Sequence, residues 1–472
     1  MHIAFLNPQG NFDPKDSHLT EHPDFGGQLV YVKELGLALA RQGYRIDLVT
    51  RQIDDPQWPA FKEQIDHYEF EQERLRIIRL PCGGSGFLEK ESLWPHLGEW
   101  VDNILSFYQQ QLPDFFTAHY ADGGYTAALI KQRTGIGFSF TGHSLGAQKL
   151  DKLGMDQSNA DKLDNRYHFS QRIAAERLSM QNAFRVITST TQERMDQYGH
   201  PLYESAVDPQ DDDRFAVIPP GVNTQIFTDM PGPDDSSIAR DLTAQLTTPE
   251  RPHIVVSSRL DEKKNILGVV RAYCGSPQLR EQAQLVLCIR GIDDPFTQLQ
   301  QLPEMEVRVL EPILRVIQDS GSRGFIDFLN IPSQSALAAT YRFFAIRGSV
   351  FVLSSFYEPF GLAPIEAGAC GLAVVATRNG GPEEIFADGS GVLVDPTEST
   401  DIAAGIETAL AKHAHYAQLV QQRVRSTYTW ERTANGYGAV LRSGGAVRYD
   451  THDSPLTLDA DERISNYLKQ ST

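Results

Sequence analysis

Cysteine is scarce: four residues, Cys82, Cys274, Cys288 and Cys370, in a chain of 472, and no Cys-x-x-Cys pair among them. A disulfide-stapled scaffold is excluded, and buried thiols in a reducing, cytoplasmic setting are expected. Long apolar runs are also missing. The opening Met1-His2-Ile3-Ala4-Phe5-Leu6-Asn7 carries no basic region, so no signal peptide, transmembrane span or membrane partner is expected. Positive charge is in deficit, with 43 basic against 61 acidic side chains and a formal net charge of -18. That argues against a nucleic-acid partner, because neutralising phosphates needs a basic surface. A phosphorylated small molecule would need a local basic pocket inside a repelling field. Internal repeats and low-complexity tracts are absent. No Asp-x-Asp stands at a suitable strand end, and Asp211-Asp212-Asp213, which precedes a strand, reads as a solvated turn. Neither an obligatory metal nor another cofactor is expected.

What is present suits two α/β domains of roughly 200 residues each. Short apolar runs at Ile3–Leu6, Arg45–Thr50, Arg76–Leu80, Phe115–Ala118, Phe138–Thr141, Val186–Thr188 and Ala216–Ile218 read as strands. A second series follows at His253–Ser258, Leu285–Ile289, Phe325–Leu329, Val350–Leu353, Ala373–Ala376 and Val392–Val394. Helical periods lie between them; Leu29, Val32, Leu35 and Leu39 share one face, and Gly43 is placed to end that helix. Strand, helix, strand in this order predicts two Rossmann-like, doubly wound parallel sheets. The polar stretch 228–252, with Pro231, Pro233 and Pro249, marks the inter-domain region. The expected division is 1–235 for the first domain, 236–430 for the second, a terminal helix over 431–445 crossing back to the first, and a peripheral tail over 446–472. Such sheets bind ligands at the carboxyl ends of their strands, and two that face each other form a central cleft.

Four motifs sit at predicted strand ends. Asp24-Phe25-Gly26-Gly27-Gln28 opens the first long helix, where glycines and free amides admit a ligand closely. Thr141-Gly142-His143-Ser144-Leu145-Gly146 places a histidine between glycines. Ser258-Arg259-Leu260-Asp261-Glu262-Lys263-Lys264-Asn265 sets two cations five positions apart around a turn, a spacing that can grip a diphosphate from two sides. Phe356-Tyr357-Glu358-Pro359-Phe360-Gly361-Leu362-Ala363-Pro364-Ile365-Glu366 sets two carboxylates eight positions apart; a helix starting near Ala363 would turn its amides to phosphate oxygens and hold Glu366 in its first turn. Each motif has a bland counterpart in a glycine turn, a structural histidine or a solvated charged turn. The apolar flanks of Glu358 and Glu366 make full solvation the poorer reading there.

Together these segments resemble the retaining nucleotide-sugar glycosyltransferases of the GT-B fold, over Met1 to about Leu441. Glu358 and Glu366 match that family's Glu-x7-Glu signature, and Arg259 with Lys264 match its donor-diphosphate pair. Within it, Asn7-Pro8-Gln9-Gly10, Gly26-Gly27-Gln28-Leu29-Val30-Tyr31-Val32, Arg172-Ile173-Ala174-Ala175-Glu176 and Thr377-Arg378-Asn379-Gly380-Gly381-Pro382 are similar to the sucrose-phosphate synthase family. The resemblance implies a glucosyl transfer from UDP-glucose, or ADP-glucose, to fructose 6-phosphate. It places Gly27 by the donor phosphates, Gly26 and Gln28 on the acceptor sugar, and His143 by the 6-hydroxyl of the transferred glucose. It gives Arg259 and Lys264 the diphosphate, and Glu358 the glucose hydroxyls. Phe360, Gly361 and Leu362 would supply backbone amides, and Glu366 would bind the ribose diol. His143, Arg259, Lys264 and Glu358 are the implied catalytic set; Lys90, Lys149 and Arg172 are the candidates for the acceptor phosphate. Many relatives carry Arg-Arg where this chain has Gln171-Arg172. Some relatives continue into a phosphatase-like domain, so a separate sucrose-phosphate phosphatase is the expected downstream partner. Sucrose synthase, mannosylfructose-phosphate synthase and a catalytically silent sugar-phosphate sensor remain open alternatives.

Overall fold

In a computed structural model, which describes residues 1–15, 27–68, 73–452 and 454–470, the chain forms two compact units. One comprises Met1–Pro220 with Thr433–Thr472, the other Gly221–Arg432. Both have the doubly wound architecture that the alternating pattern predicts.

The first unit is built on an eight-stranded sheet: β1 His2–Leu6, β2 Arg45–Arg51, β3 Ile65–His67, β4 Leu75–Leu80, β5 Phe115–His119, β6 Phe138–Thr141, β7 Arg185–Thr188 and β8 Phe215–Val217. Their order is β3-β4-β2-β1-β5-β6-β7-β8. All neighbours are parallel except β3, a short antiparallel edge against β4. No apolar run announced β3, because its Ile65-Asp66-His67 is polar and exposed to half-buried. The central strands are covered on both faces, as their apolar runs require: residues 3 to 6 of β1 are fully buried. The helix Gly27–Arg41 buries Leu29, Val32, Leu35 and Leu39 on one side, and Gly43 takes the left-handed turn beyond it with φ 95°.

The second sheet has β9 His253–Ser257, β10 Gln284–Cys288, β11 Ile326–Leu329, β12 Val350–Leu353, β13 Ala373–Thr377 and β14 Val392–Val394, in the order β11-β10-β9-β12-β13-β14, wholly parallel. The pleat sorts its side chains: Val255, Val286, Phe351 and Val374 enter one core, Ile254, Leu285, Val350 and Val375 the other.

Two segments that the sequence presents as polar contain helices. Asp235–Gln245 buries Leu242 in the second unit. Asp461–Gln470, within the tail expected to be peripheral, buries Ile464 and Leu468 in the main core of the first unit. Two buried apolar side chains one turn apart, with the half-buried Tyr467 beside them, hold that helix down, and they give a weak period in a charged stretch. Among the described residues all four cysteines are free thiols, and no helix is long and apolar enough to cross a membrane.

Candidate active site

In a doubly wound sheet the strand order reverses at one place, and the loops leaving the two strands there diverge to open a crevice. In the second unit that place lies between β9 and β12. Arg259 and Lys264 follow β9; Glu358 and Glu366 follow β12. Asn265 ties the two exits together. Its backbone is left-handed (φ 51°), its Oδ1 accepts from Gly268 N–H, and its Nδ2 donates to the carbonyls of Ser354 (3.1 Å) and Pro396 (2.7 Å). Lys264 ends a single 3-10 turn capped by Asp261. Its ammonium donates to Glu358 Oε2 at 2.6 Å, and Ser355 Oγ donates to the same oxygen at 3.3 Å. Arg259 is exposed, and its guanidinium has no hydrogen-bond or ion-pair partner among the described residues.

The Glu358 loop is held by backbone. Glu358 N–H donates to the carbonyl of Asn379 (3.1 Å), and its own carbonyl accepts from Gly381 N–H (2.8 Å). A Cβ on Gly380 would collide with the Glu358 carbonyl, which explains the Gly380-Gly381 pair. Phe360 is buried edge-on against Tyr428, while Gly361 turns the chain with φ 109° into the helix Leu362–Ala369. Because that helix starts at Leu362, one residue before the expected Ala363, Glu366 falls just beyond the first turn expected for it. Its carboxyl faces no cation among the described residues, and burial raises it to about 7.

In the first unit the reversal lies between β1 and β5. Gln9 follows β1, and Tyr120 and Asp122 follow β5. These three line a cavity of about 230 Å³ together with Lys90, Lys149 and Arg172. The three acceptor-phosphate candidates, separated by tens of positions in sequence, thus meet on one cavity. Burial, with the charges of Arg172 and Lys90 added, pulls the Lys149 ammonium down to about 8. Its Nζ stands 4.1 Å from the centre of the Tyr167 ring. Arg172 donates from Nη2 to the Ser144 carbonyl (2.6 Å) and from Nε to Glu176 Oε1 (3.0 Å), one helical turn away. Glu176 is fully buried; it also accepts from Gly146 N–H and the Tyr203 hydroxyl. Two carboxylates, Glu91 and Asp122, share the cavity wall; burial raises Asp122 to about 6.

His143 follows β6 with a left-handed backbone (φ 56°), as Tyr120 does after β5 (φ 65°), an uncommon conformation for side chains of this size. His143 Nε2 lies 2.9 Å from His119 Nδ1, and His119 Nε2 lies 3.1 Å from Thr117 Oγ1. Burial brings His143 to about 3 and holds His119 well below the ordinary imidazole value, with the neighbouring ring adding to it. Both rings are therefore neutral at physiological pH. His143 does not line the cavity; Tyr120 links them, 5.7 Å from the His143 ring and 5.9 Å below the Arg172 guanidinium. Gln28 has a buried Nε2 without a partner among the described residues, an orphan donor that a ligand would satisfy. At Gly27 a Cβ would meet no atom of the described residues within 4 Å. Gly26 lies outside the described residues.

Sequence reasoning did not single out His119, Tyr120 and Asp122, and it quoted Gln9, Ser144 and Glu176 within motifs without giving them a role in the site. Position at a strand end, the rule that selected His143, also selects Tyr120 and Asp122 after β5. Glu176 was signalled by its place in the Arg172–Glu176 segment that carries the resemblance and by its four-residue spacing from Arg172.

The chain matches two family models, a glycosyl transferase 4-like domain over residues 26–200 and glycosyl transferases group 1 over 240–424. It is 45% identical over 442 residues to a protein of Thermosipho melanesiensis named probable sucrose-phosphate synthase, covering 93% of this chain and 95% of that one. It is 31% identical over 505 residues to probable sucrose-phosphate synthase 1 of Oryza sativa, covering 93% of this chain and 46% of the rice protein, so it spans about half the length of that relative. Among solved structures, a sucrose-phosphate synthase from Thermosynechococcus elongatus superposes with a TM-score of 0.68 at 26% identity, over 94% of this chain and 98% of that one.

Proposed function

Because the chain belongs to the sucrose-phosphate synthase family of GT-B-fold glycosyltransferases, we propose that it transfers glucose from UDP-glucose, with ADP-glucose as the alternative donor, to fructose 6-phosphate. The products are sucrose 6-phosphate and the nucleoside diphosphate, with the α-configuration retained.

The observation that carries this reading is the gathering of Lys90, Lys149 and Arg172 on one cavity in a chain of net charge -18. Burial first, and the neighbouring charges of Arg172 and Lys90 second, disfavour the Lys149 ammonium, so part of its lowering is mutual repulsion. A phosphate dianion entering the cavity reverses that repulsion. The gain requires the phosphate, so a free hexose is the poorer acceptor. The orphaned Gln28 carboxamide supplies a donor for a sugar oxygen.

On the donor side, Arg259 and Lys264 hold the diphosphate, and the amides at Phe360, Gly361 and Leu362 add to it. Glu358 keeps Lys264 in place beforehand at 2.6 Å and accepts from glucose hydroxyls. Glu366 accepts from the ribose diol. Gly27 leaves room for the donor phosphates. His143, neutral, exchanges a hydrogen bond with the glucose 6-hydroxyl and carries no charge into the reaction. In the chemical step the bond from glucose C1 to the β-phosphate oxygen breaks, and that oxygen keeps the electron pair. The fructose 2-hydroxyl bonds to C1 from the same face and passes its proton to the departing phosphate. Charge grows on the leaving diphosphate, where Arg259 and Lys264 stabilise it without a metal.

Nucleotide release, assayed over UDP-glucose, ADP-glucose and GDP-mannose against fructose 6-phosphate and fructose, tests the reading. Release dependent on fructose 6-phosphate, undiminished by EDTA, is expected. Equal use of free fructose, preference for GDP-mannose, or activity lost to EDTA and restored by magnesium or manganese would overturn it.

A further inference from the structure

The helix Gly146–Lys152, which carries Lys149, has only seven residues. A helix that short is marginal by itself, because its nucleation penalty is spread over few hydrogen bonds. Leu145, at its N-cap, offers no side-chain acceptor. The first amides are met from outside instead: Gly146 N–H donates to both oxygens of Glu176 (2.9 and 3.0 Å), and Ala147 N–H to the Tyr203 hydroxyl (3.1 Å).

The last turn is fastened by a second set of groups. Asp151 Oδ1 accepts from the Tyr467 hydroxyl at 2.9 Å, and Oδ2 lies 3.0 Å from His200 Nε2. Leu202 N–H donates to His200 Nδ1 at 3.1 Å, which leaves the imidazole proton on Nε2, directed at Asp151. The rings of Tyr467 and His200 pack 5.0 Å apart. Tyr467 belongs to the helix Asp461–Gln470, whose Ile464 and Leu468 enter the same core cluster as Leu150. The C-terminal helix therefore meets the Lys149 helix through the Tyr467–Asp151 hydrogen bond, and both helices bury side chains in one core cluster.

We propose that Tyr467 and Asp151 are positioning residues for the acceptor site: the C-terminal helix pins the last turn of Gly146–Lys152 and so fixes where the Lys149 ammonium stands. The proposal rests on the cavity's being the acceptor-phosphate site. Neither residue lines that cavity. They act by ordering Lys149 before the acceptor arrives, and such ordering shows in acceptor affinity more than in turnover.

Tyr467→Phe removes the hydroxyl and keeps the ring, so the core contact survives. Its KM for fructose 6-phosphate should rise about 3- to 10-fold, the share of one charge-assisted hydrogen bond that reaches the site. Turnover and the nucleotide-sugar KM should change less than about twofold, and amide exchange over residues 146–152 should quicken. Asp151→Asn should repeat the pattern. Asn466→Ala, exposed on the same C-terminal helix, should leave all four readings unchanged. An unaltered fructose 6-phosphate KM in both Tyr467→Phe and Asp151→Asn, with a phosphate-selective parent, overturns the positioning role alone. Equal rises in both KM values overturn it as well, since they report general loosening. A parent enzyme that does not prefer fructose 6-phosphate to fructose overturns the acceptor reading and this proposal with it.

Discussion

His119 Nδ1 and His143 Nε2 share one hydrogen bond of 2.9 Å between the ends of β5 and β6. One ring donates and the other accepts, so the pair is stable only while at least one nitrogen stays unprotonated. Burial secures this by lowering His143 to about 3. The unfolded chain takes up a proton at an ordinary imidazole value of about 6.5. As pH falls below that value, the unfolded state binds protons that the native state refuses, and stability declines. Thermal midpoints should drop as pH goes from about 6.5 toward 4, and His143→Asn should flatten that drop. An unchanged slope in His143→Asn would show that other groups govern it.

Glu366 titrates with the opposite sign. Its folded carboxyl sits at about 7, above the ordinary value of about 4.3. The native state holds its proton longer than the unfolded chain, so its contribution to stability is present below about 4.3 and is lost as pH rises toward 7. Glu366→Gln should raise the thermal midpoint at pH 8 relative to the parent and change it little at pH 4.5. Because the ionised carboxylate is the better acceptor for a ribose diol, the parent's affinity for UDP should tighten as pH rises through about 7. Glu366→Gln should abolish that dependence; calorimetric titration at pH 6 and 8 measures both.

Arg259→Ala and Lys264→Ala should lower turnover more than donor binding. In the proposed step charge develops on the leaving diphosphate as the bond breaks, and removing one group placed to meet it should cost on the order of 100- to 1000-fold in rate. The two differ in the resting enzyme. Lys264 is already paired with Glu358 at 2.6 Å, whereas Arg259 is exposed. Lys264→Ala strands the Glu358 carboxylate and should also loosen its loop; Arg259→Ala should leave the thermal midpoint unchanged. Loss of donor binding with turnover intact would assign both to the ground state alone.

Arg172→Ala should raise the KM for fructose 6-phosphate about 10- to 150-fold, the range of a charge-assisted contact, and leave that for the nucleotide sugar nearly unchanged. The guanidinium also neutralises Glu176, which is fully buried. Removing one partner of such a pair strands the other, so a fall in thermal midpoint should accompany the kinetic effect. Arg172→Ala with Glu176→Gln should recover stability without recovering acceptor affinity. Recovery of both would show that Arg172 serves packing only.

The sequence by itself determined the architecture and named candidates for one half of the site. Continuous apolar runs such as Val350–Leu353 leave a strand no option but a sheet covered on both faces, and their alternation with helical periods dictates parallel, doubly wound order. Arg259 with Lys264, and Glu358 with Glu366, were legible because each pair is local: a few residues around one strand end, readable as a spacing. The cavity that gathers Lys90, Lys149 and Arg172 was not local. Gln9, Lys90, Tyr120, Lys149 and Arg172 come from five separate stretches, and their meeting depends on the strand order β4-β2-β1-β5-β6, which periodicity does not encode. Tertiary structure alone decided the charges as well. Whether a histidine titrates near 6.5 or near 3 depends on what buries it, and His119 comes to His143 only because β5 and β6 are neighbours. The Asp461–Gln470 helix shows the same limit: two apolar side chains in a charged stretch give no usable period, and only the surface beneath them makes Ile464 and Leu468 part of the core.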